Sequence, residues 1–210
     1  MVAIRSSYCG QKRSLLTDKT NTMIHTQEEY KGYTIKIKYD EDPADPRGND
    51  NIGKMICFHG SYNLGDKHNY NQHSFGSWAE LHEQLIKDFR NDIILPLYLY
   101  NHSGITMNTT GFSCGWDSGQ VGFIIVDRKG LLNCRGVKRI TKKERELLFE
   151  ALESEVEEYD WYLTGDAYGY SIEDEDEEEV ESCWGYLGDS DYPMQEAKSI
   201  VDYIINNKNK

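Results

Sequence analysis

Cys114 is the one candidate nucleophile that lies in a polar, glycine-containing segment, Gly111-Phe112-Ser113-Cys114-Gly115-Trp116-Asp117-Ser118-Gly119-Gln120. His102 shortly before it and Asp117 shortly after it are the residue types that turn a thiol into a thiolate nucleophile: an imidazole base and a carboxylate to orient it. The chemistry of such a set is acyl transfer. Its spacing matches no cysteine-hydrolase pattern, and the competing reading is a tight turn with Trp116 packed over a sheet.

A second group surrounds Gly60-Ser61-Tyr62-Asn63-Leu64-Gly65-Asp66. Here His59, His68 and His73, with Asp66, are imidazole and carboxylate donors of the kind that hold a divalent metal. No H-E-x-x-H or H-x-H spacing supports them, so exposed loop histidines are the alternative, and His59, Asp66 and His68 stand as candidates only. Calcium has two acidic stretches to consider. Asp40, Asp42, Asp45, Asn49 and Asp50 lack the order of an EF-hand loop and are interrupted by Pro43 and Pro46. The run Glu173-Asp174-Glu175-Asp176-Glu177-Glu178-Glu179 has no glycine to fold it around an ion. Phosphate-binding and dinucleotide glycine patterns are absent, as is G-x-S-x-G, and no cofactor is expected. The five cysteines, Cys9, Cys57, Cys114, Cys134 and Cys183, form neither a C-x-x-C pair nor an even framework, and Cys57 and Cys183 read as core residues of a reduced protein.

The elements that must position these residues are an α+β set: a small, mostly antiparallel sheet with about three amphipathic helices. Residues 1–30 read as a basic, mobile arm, and 31–210 as a single domain. Strands are expected at Tyr33–Tyr39, where apolar and polar residues alternate, at Met55–Phe58, at Asp92–Tyr100, at Ile105–Met107 and at Val121–Asp127. Pro96 places an edge or bulge in the third of these. A helix from Trp78 to Phe89 is announced by Ser77 and Glu80. A second follows Thr141 and Glu144, with Leu148, Leu152, Val156 and Tyr159 on one stripe and Glu146, Glu150, Glu153 and Glu157 on the other. The segments 168–172 and 180–187 read as a hairpin around the acidic run, and Met194–Ile205 as a last helix.

Charge is distributed unevenly. The 210 residues carry 36 Asp and Glu against 23 Lys and Arg, a formal charge of −13. Between Glu144 and Asp202 there are 21 acidic residues and only Arg145 and Lys198 as cations, so this third carries −19 and the remainder +6. The excess argues against nucleic acid as a direct partner. With no apolar run of membrane-span length and no signal-peptide core, it points to a soluble, cytoplasmic protein without a membrane partner. An acidic surface interleaved with Tyr and Trp suits the basic groove of a nucleic-acid-binding protein, because it imitates a phosphate backbone and attracts its partner at long range. The residues expected to carry that contact are Glu146, Glu150, Glu153, Glu157, Glu158, Glu173, Asp174, Glu175, Asp176, Glu177, Glu178 and Glu179. A solvated acidic surface with no partner is the competing reading.

The segments Asn51-Ile52-Gly53-Lys54-Met55-Ile56-Cys57-Phe58-His59, Tyr62-Asn63-Leu64-Gly65-Asp66, Leu95-Pro96-Leu97-Tyr98-Leu99-Tyr100-Asn101-His102-Ser103-Gly104-Ile105 and Trp116-Asp117-Ser118-Gly119-Gln120-Val121-Gly122 resemble an uncharacterised group of acidic proteins of bacteriophages and other mobile elements. Tyr162-Leu163-Thr164-Gly165-Asp166 and Tyr168-Gly169-Tyr170 extend the resemblance over most of the chain after Tyr33. It implies expression in a bacterial host and an anti-defence inhibitor, of restriction or CRISPR type, that binds a host nuclease complex. An enzyme or small-ligand-binding protein that degrades or sequesters a defence signal through the His/Asp/Cys loops is the second reading. A structural or regulatory protein of the mobile element is the third.

Overall fold

A computed structural model describes residues 22–127, 131 and 140–208. The chain is α+β, with two antiparallel four-stranded sheets and three helices among the described residues. It divides into two compact units where the sequence suggested one domain: the described residues of 1–43 and 167–210 form one, and 44–166 the other.

The first unit contains β1 (Ile24–Tyr30), β2 (Tyr33–Tyr39), β7 (Ala167–Glu173) and β8 (Glu179–Leu187), paired in the order β1-β2-β7-β8. Lys31 and Gly32, both at positive φ (52° and 82°), make the two-residue turn between β1 and β2, whose twist matches that of the flanking strands. Alternation in β2 buries Tyr33, Ile35 and Ile37 on the face covered by α3 (Asp191–Lys208), where they meet Tyr168, Tyr170, Ile172, Ala197 and Val201. The N-terminal arm expectation therefore fails for residues 24–30. They are held by pairing to β2 while their side chains stay largely exposed, so they carry no apolar period to read. Residues 1–21 of that arm, with Cys9, and also Cys134, lie outside the described residues.

The second unit contains β3 (Gly53–Cys57), β4 (Ile94–Asn101), β5 (Ile105–Asn108) and β6 (Ser118–Val126), in the order β3-β6-β4-β5. Helix α1 (Trp78–Phe89) packs Leu81 and Leu85 against Ile56, Phe123 and Ile125 on one face. Helix α2 (Lys142–Thr164) packs Leu148, Leu152, Val156 and Tyr159 against Met55, Leu97, Met107 and Ile124 on the other. Because both faces are covered, β6 is buried from Val121 to Val126 and reads as a continuous apolar run. At Gly122 an added Cβ would lie 2.0 Å from the Ile56 carbonyl oxygen, so only glycine lets β3 and β6 approach. Pro96 sits in the half of β4 that pairs with β6 alone, because β5 reaches only Tyr98 to Asn101. Its missing N–H is thus spared a ladder partner on the open side.

A buried ion network fastens the loop before β3 to α2. Arg47, whose side chain is 3% exposed, donates from Nη2 to Asp66 Oδ2 (2.8 Å) and the Gly53 carbonyl (2.7 Å), and from Nη1 to Glu155 Oε2 (3.0 Å). Both carboxylates are spent further on backbone: Asp66 accepts from Met55 N at 2.7 Å, and Glu155 from Ile52 N at 2.6 Å.

Candidate functional site

The acidic run between β7 and β8 is a built turn. The Asp174 carboxylate accepts the backbone N–H groups of Asp176 (3.0 Å) and Glu178 (3.1 Å), and the Asp174 N–H donates to the Glu178 carbonyl (3.0 Å). Asp is suited to this, since its short carboxylate reaches the donors two and four residues on. With Asp174 closing the turn and Glu173 paired to Lys36, the side chains left exposed are Glu175, Asp176, Glu177, Glu178 and Glu179. Glu177 adopts φ +60°, a left-handed conformation that glycine takes more readily. A carboxylate is kept there at a conformational cost of about 1 kcal/mol. At the base of the hairpin, an added Cβ on Gly169 would meet the Trp184 ring at 2.3 Å, so the indole lies directly over glycine backbone.

The stripe on α2 has a different anatomy. Glu146, Glu150, Glu153 and Glu157 are all exposed and follow one another at three- and four-residue steps, where like charges repel by a few tenths of a kcal/mol per pair (~0.2–0.5). Glu158 does not belong with them. It is half-buried, and desolvation first, then the neighbouring Glu155 carboxylate, push its pKa up against the opposing pull of Arg47. Asp160 also turns inward, accepting from Thr106 Oγ1 (2.8 Å) and Met107 N (2.6 Å). Its pKa is raised by desolvation, which outweighs the opposing hydrogen bonds.

Helix α2 is charged against its own dipole. A helix N-terminus favours anions and its C-terminus cations, by about 0.3–1 kcal/mol per exposed charge. Here Lys142 and Lys143 open the helix, Glu157, Glu158 and Asp160 approach its end, and its last turn has no basic residue. The exception is Glu144, whose carboxylate is consumed by the capping box: Thr141 N donates to Glu144 Oε2 at 2.7 Å and Glu144 N to Thr141 Oγ1 at 3.3 Å.

The polar loops of the second unit do bring Cys114, Asp117 and His102 together, in the order His102–Asp117–Cys114. His102 Nδ1 lies 3.5 Å from Asp117 Oδ2, and the Cys114 thiol donates to the same oxygen at 3.8 Å. A nucleophilic thiol requires the imidazole in the middle, facing sulfur; here a carboxylate faces it. The Cys114 carbonyl accepts from Ser118 Oγ and the Asp117 carbonyl from Asn101 N, so the segment is a structured turn. Trp116 corrects the expectation of packing over the sheet, since it is 98% exposed.

The proposed metal ligands are occupied separately. His59 Nδ1 accepts from Ser61 N and Tyr62 N, His68 Nε2 bonds the Cys57 carbonyl at 2.9 Å, and Asp66 belongs to the Arg47 network. Among the described residues no group of three or more His, Cys, Asp or Glu is placed to hold a metal ion. The acidic loop before β3 is likewise engaged in turns, with Asp45 accepting from Arg47 N and Asp40 from Asp42 N. Cys57 is core: burial pushes its thiol up to about 12. The Arg47 network was missed by sequence reasoning, because nothing in Asp45-Pro46-Arg47-Gly48 distinguishes a buried guanidinium from a solvated one.

Among the described residues no helix is long and apolar enough to cross a membrane. The chain matches no family model, no curated protein and no solved structure.

Proposed function

We propose that this chain is a non-catalytic binding protein that occupies the basic nucleic-acid-binding site of a partner protein, presenting carboxylates in place of phosphates. The observation that carries this reading is the Asp174-pinned turn, which holds five acidic side chains outward and keeps Glu177 where glycine would be more comfortable. A merely solvated loop requires neither. The exposed stripe Glu146, Glu150, Glu153 and Glu157 supplies a second acidic surface, on a helix whose charge order is unfavourable in isolation. The aromatic neighbours divide: Tyr159, Tyr168 and Tyr170 are core, while Trp184 and Tyr192 reach solvent, the kind of side chain that anchors interfaces.

With the resemblance to phage and mobile-element proteins, the partner class is a host nuclease complex of a defence system, met in the bacterial cytoplasm, and the effect is inhibition. Affinity capture on the immobilised chain from bacterial lysate tests this, followed by challenge with duplex DNA or RNA. Release of a nuclease subunit by nucleic acid supports the reading, and a partner indifferent to nucleic acid contradicts it.

The contacts among His102, Asp117 and Cys114, beside the fully exposed Trp116, favour a second reading in which these loops bind a small molecule or peptide without forming a thiolate. Cys114→Ala and His102→Ala would then abolish activity while charge reversal on α2 would not.

A further inference from the structure

Strand β8 is an outer strand of the first unit's sheet. β7 lies on one side of it, and among the described residues no backbone hydrogen bond to another element closes the other side. Irregularities in the β7–β8 ladder fall between Tyr168 and Gly169 and between Ile172 and Glu173, so the stretch from Glu181 to Trp184 is regular. Within it the Ser182 N–H donates to the side chain of its own neighbour, Glu181 Oε1, at 3.3 Å. In an antiparallel ladder alternate residues turn their N–H and C=O groups away from the paired strand. Ser182 is such a residue, and the Glu181 carboxylate stands where the carbonyl of a further strand would accept its N–H. The side chains of this edge divide by face. Glu181 is exposed and lies opposite Ile172, whose side chain joins the core under α3. Trp184 lies over Gly169 on the other face and is 42% exposed.

We infer that β8 accepts a fifth strand from the partner: an extended segment of alternating basic and apolar residues, with its cations on the Glu181 face and its apolar side chains beside Trp184. A carbonyl of that segment takes the Ser182 N–H, which releases the Glu181 carboxylate to pair with Lys or Arg. Main-chain bonds then supply affinity and the alternate side chains supply specificity. Charge selects this occupant. Glu181 follows directly on the turn that displays Glu175, Asp176, Glu177, Glu178 and Glu179, so a basic segment is attracted to the edge, while a second copy of the chain, with the same formal charge of −13, is repelled. The inference rests on the partner-binding reading and adds to it the element that the partner contributes.

Fluorescence anisotropy of a labelled peptide alternating Lys and Val, titrated with the full chain, tests it. The same peptide with its backbone nitrogens methylated keeps every charge and loses its strand donors, and it should bind at least tenfold more weakly. A peptide alternating Glu and Val should not bind. Ser182→Pro should weaken the Lys–Val peptide at least tenfold and keep the parent's circular dichroism spectrum, since an edge strand tolerates proline where the missing N–H faces away from the ladder. Glu181→Lys should weaken the same peptide and admit the Glu–Val one. Silence towards the Lys–Val peptide, equal binding of its methylated form, which would show charge attraction alone, or an affinity unmoved by Ser182→Pro would each overturn strand addition. Self-association of the chain that Ser182→Pro abolishes would overturn the assigned occupant. The partner-binding reading is scored separately, by retention of a nucleic-acid-binding protein from lysate, so silence of the peptide removes the strand and not the partner.

Discussion

Asp174 and Glu178 are joined twice: the Asp174 N–H donates to the Glu178 carbonyl at 3.0 Å, and the Glu178 N–H donates to the Asp174 carboxylate at 3.1 Å. The doubled link separates the roles of neighbouring acids. Asp174 holds the turn, and the residues between it and Glu178 are displayed by it. Asp174→Ala should therefore lower stability by about 1 kcal/mol, as loss of a comparable side-chain-to-backbone cap does. Asp174→Asn keeps the acceptor oxygen and should stay within about 0.3 kcal/mol of the parent. Thermal unfolding of the two variants distinguishes them, and equal losses would show that the turn does not depend on the accepting oxygen.

Glu177 offers a test of function against stability. Glycine accepts its φ of +60° without strain, so Glu177→Gly should leave stability unchanged or raise it by up to about 1 kcal/mol. If the turn is a binding surface, the same change should weaken partner affinity and flatten its salt dependence. A variant that is destabilised, or that binds as tightly as the parent, would remove the argument drawn from this residue.

Arg47 should be among the least replaceable polar residues. Arg47→Met leaves the carboxylates of Asp66 and Glu155, 13% and 12% exposed, without their cation. Breaking a buried pair by removing one partner costs about 3–5 kcal/mol. Urea unfolding should show a loss of that order, and a loss below about 1 kcal/mol would mean that the network is solvated in practice.

Much of this architecture was legible before the structure, wherever one element carries its own evidence. Thr141 and Glu144 announce a capping box, and Leu148, Leu152, Val156 and Tyr159 mark a buried stripe that α2 uses unchanged. The hairpin around Glu173–Glu179 is equally local. What sequence does not encode locally is which strands share a sheet: β2 pairs with β7 through Ile37 and Tyr170, more than 130 residues apart, and nothing at either position names the other. That one pairing divides a single expected sheet into two. The site shows the same limit. The exposure of Glu150, Glu153 and Glu157 follows from helical period, whereas the inward turn of Glu155 depends on Arg47, about a hundred residues earlier. Trp116 was misread because loop aromatics usually find a surface to cover, and this one does not.

Glu158 gives a pH signature. Its folded pKa lies above the ordinary 4.5, chiefly through desolvation, so the folded state binds its proton more tightly than the unfolded chain does. Stability must then fall as pH rises from the unfolded pKa through the folded one, and the full penalty persists at neutral pH. Glu158→Gln should raise stability at pH 7 by on the order of 0.5 kcal/mol, because the group is half exposed and partly screened. The gain should vanish in acid, below both pKa values. Paired urea titrations at the two pH values would contradict this assignment if the variant were less stable than the parent at pH 7.

The most direct test of the central claim neutralises the displayed acids and keeps the turn. A chain with Glu175, Glu177, Glu178 and Glu179 replaced by Gln and Asp176 by Asn, Asp174 left in place, should fold with an unchanged circular dichroism spectrum. In affinity capture from bacterial lysate at low and high salt, the parent should retain a nucleic-acid-binding protein at low salt and release it at high salt, and the neutralised chain should retain none at either. Retention of the same protein by both chains, at both salt concentrations, would contradict the account.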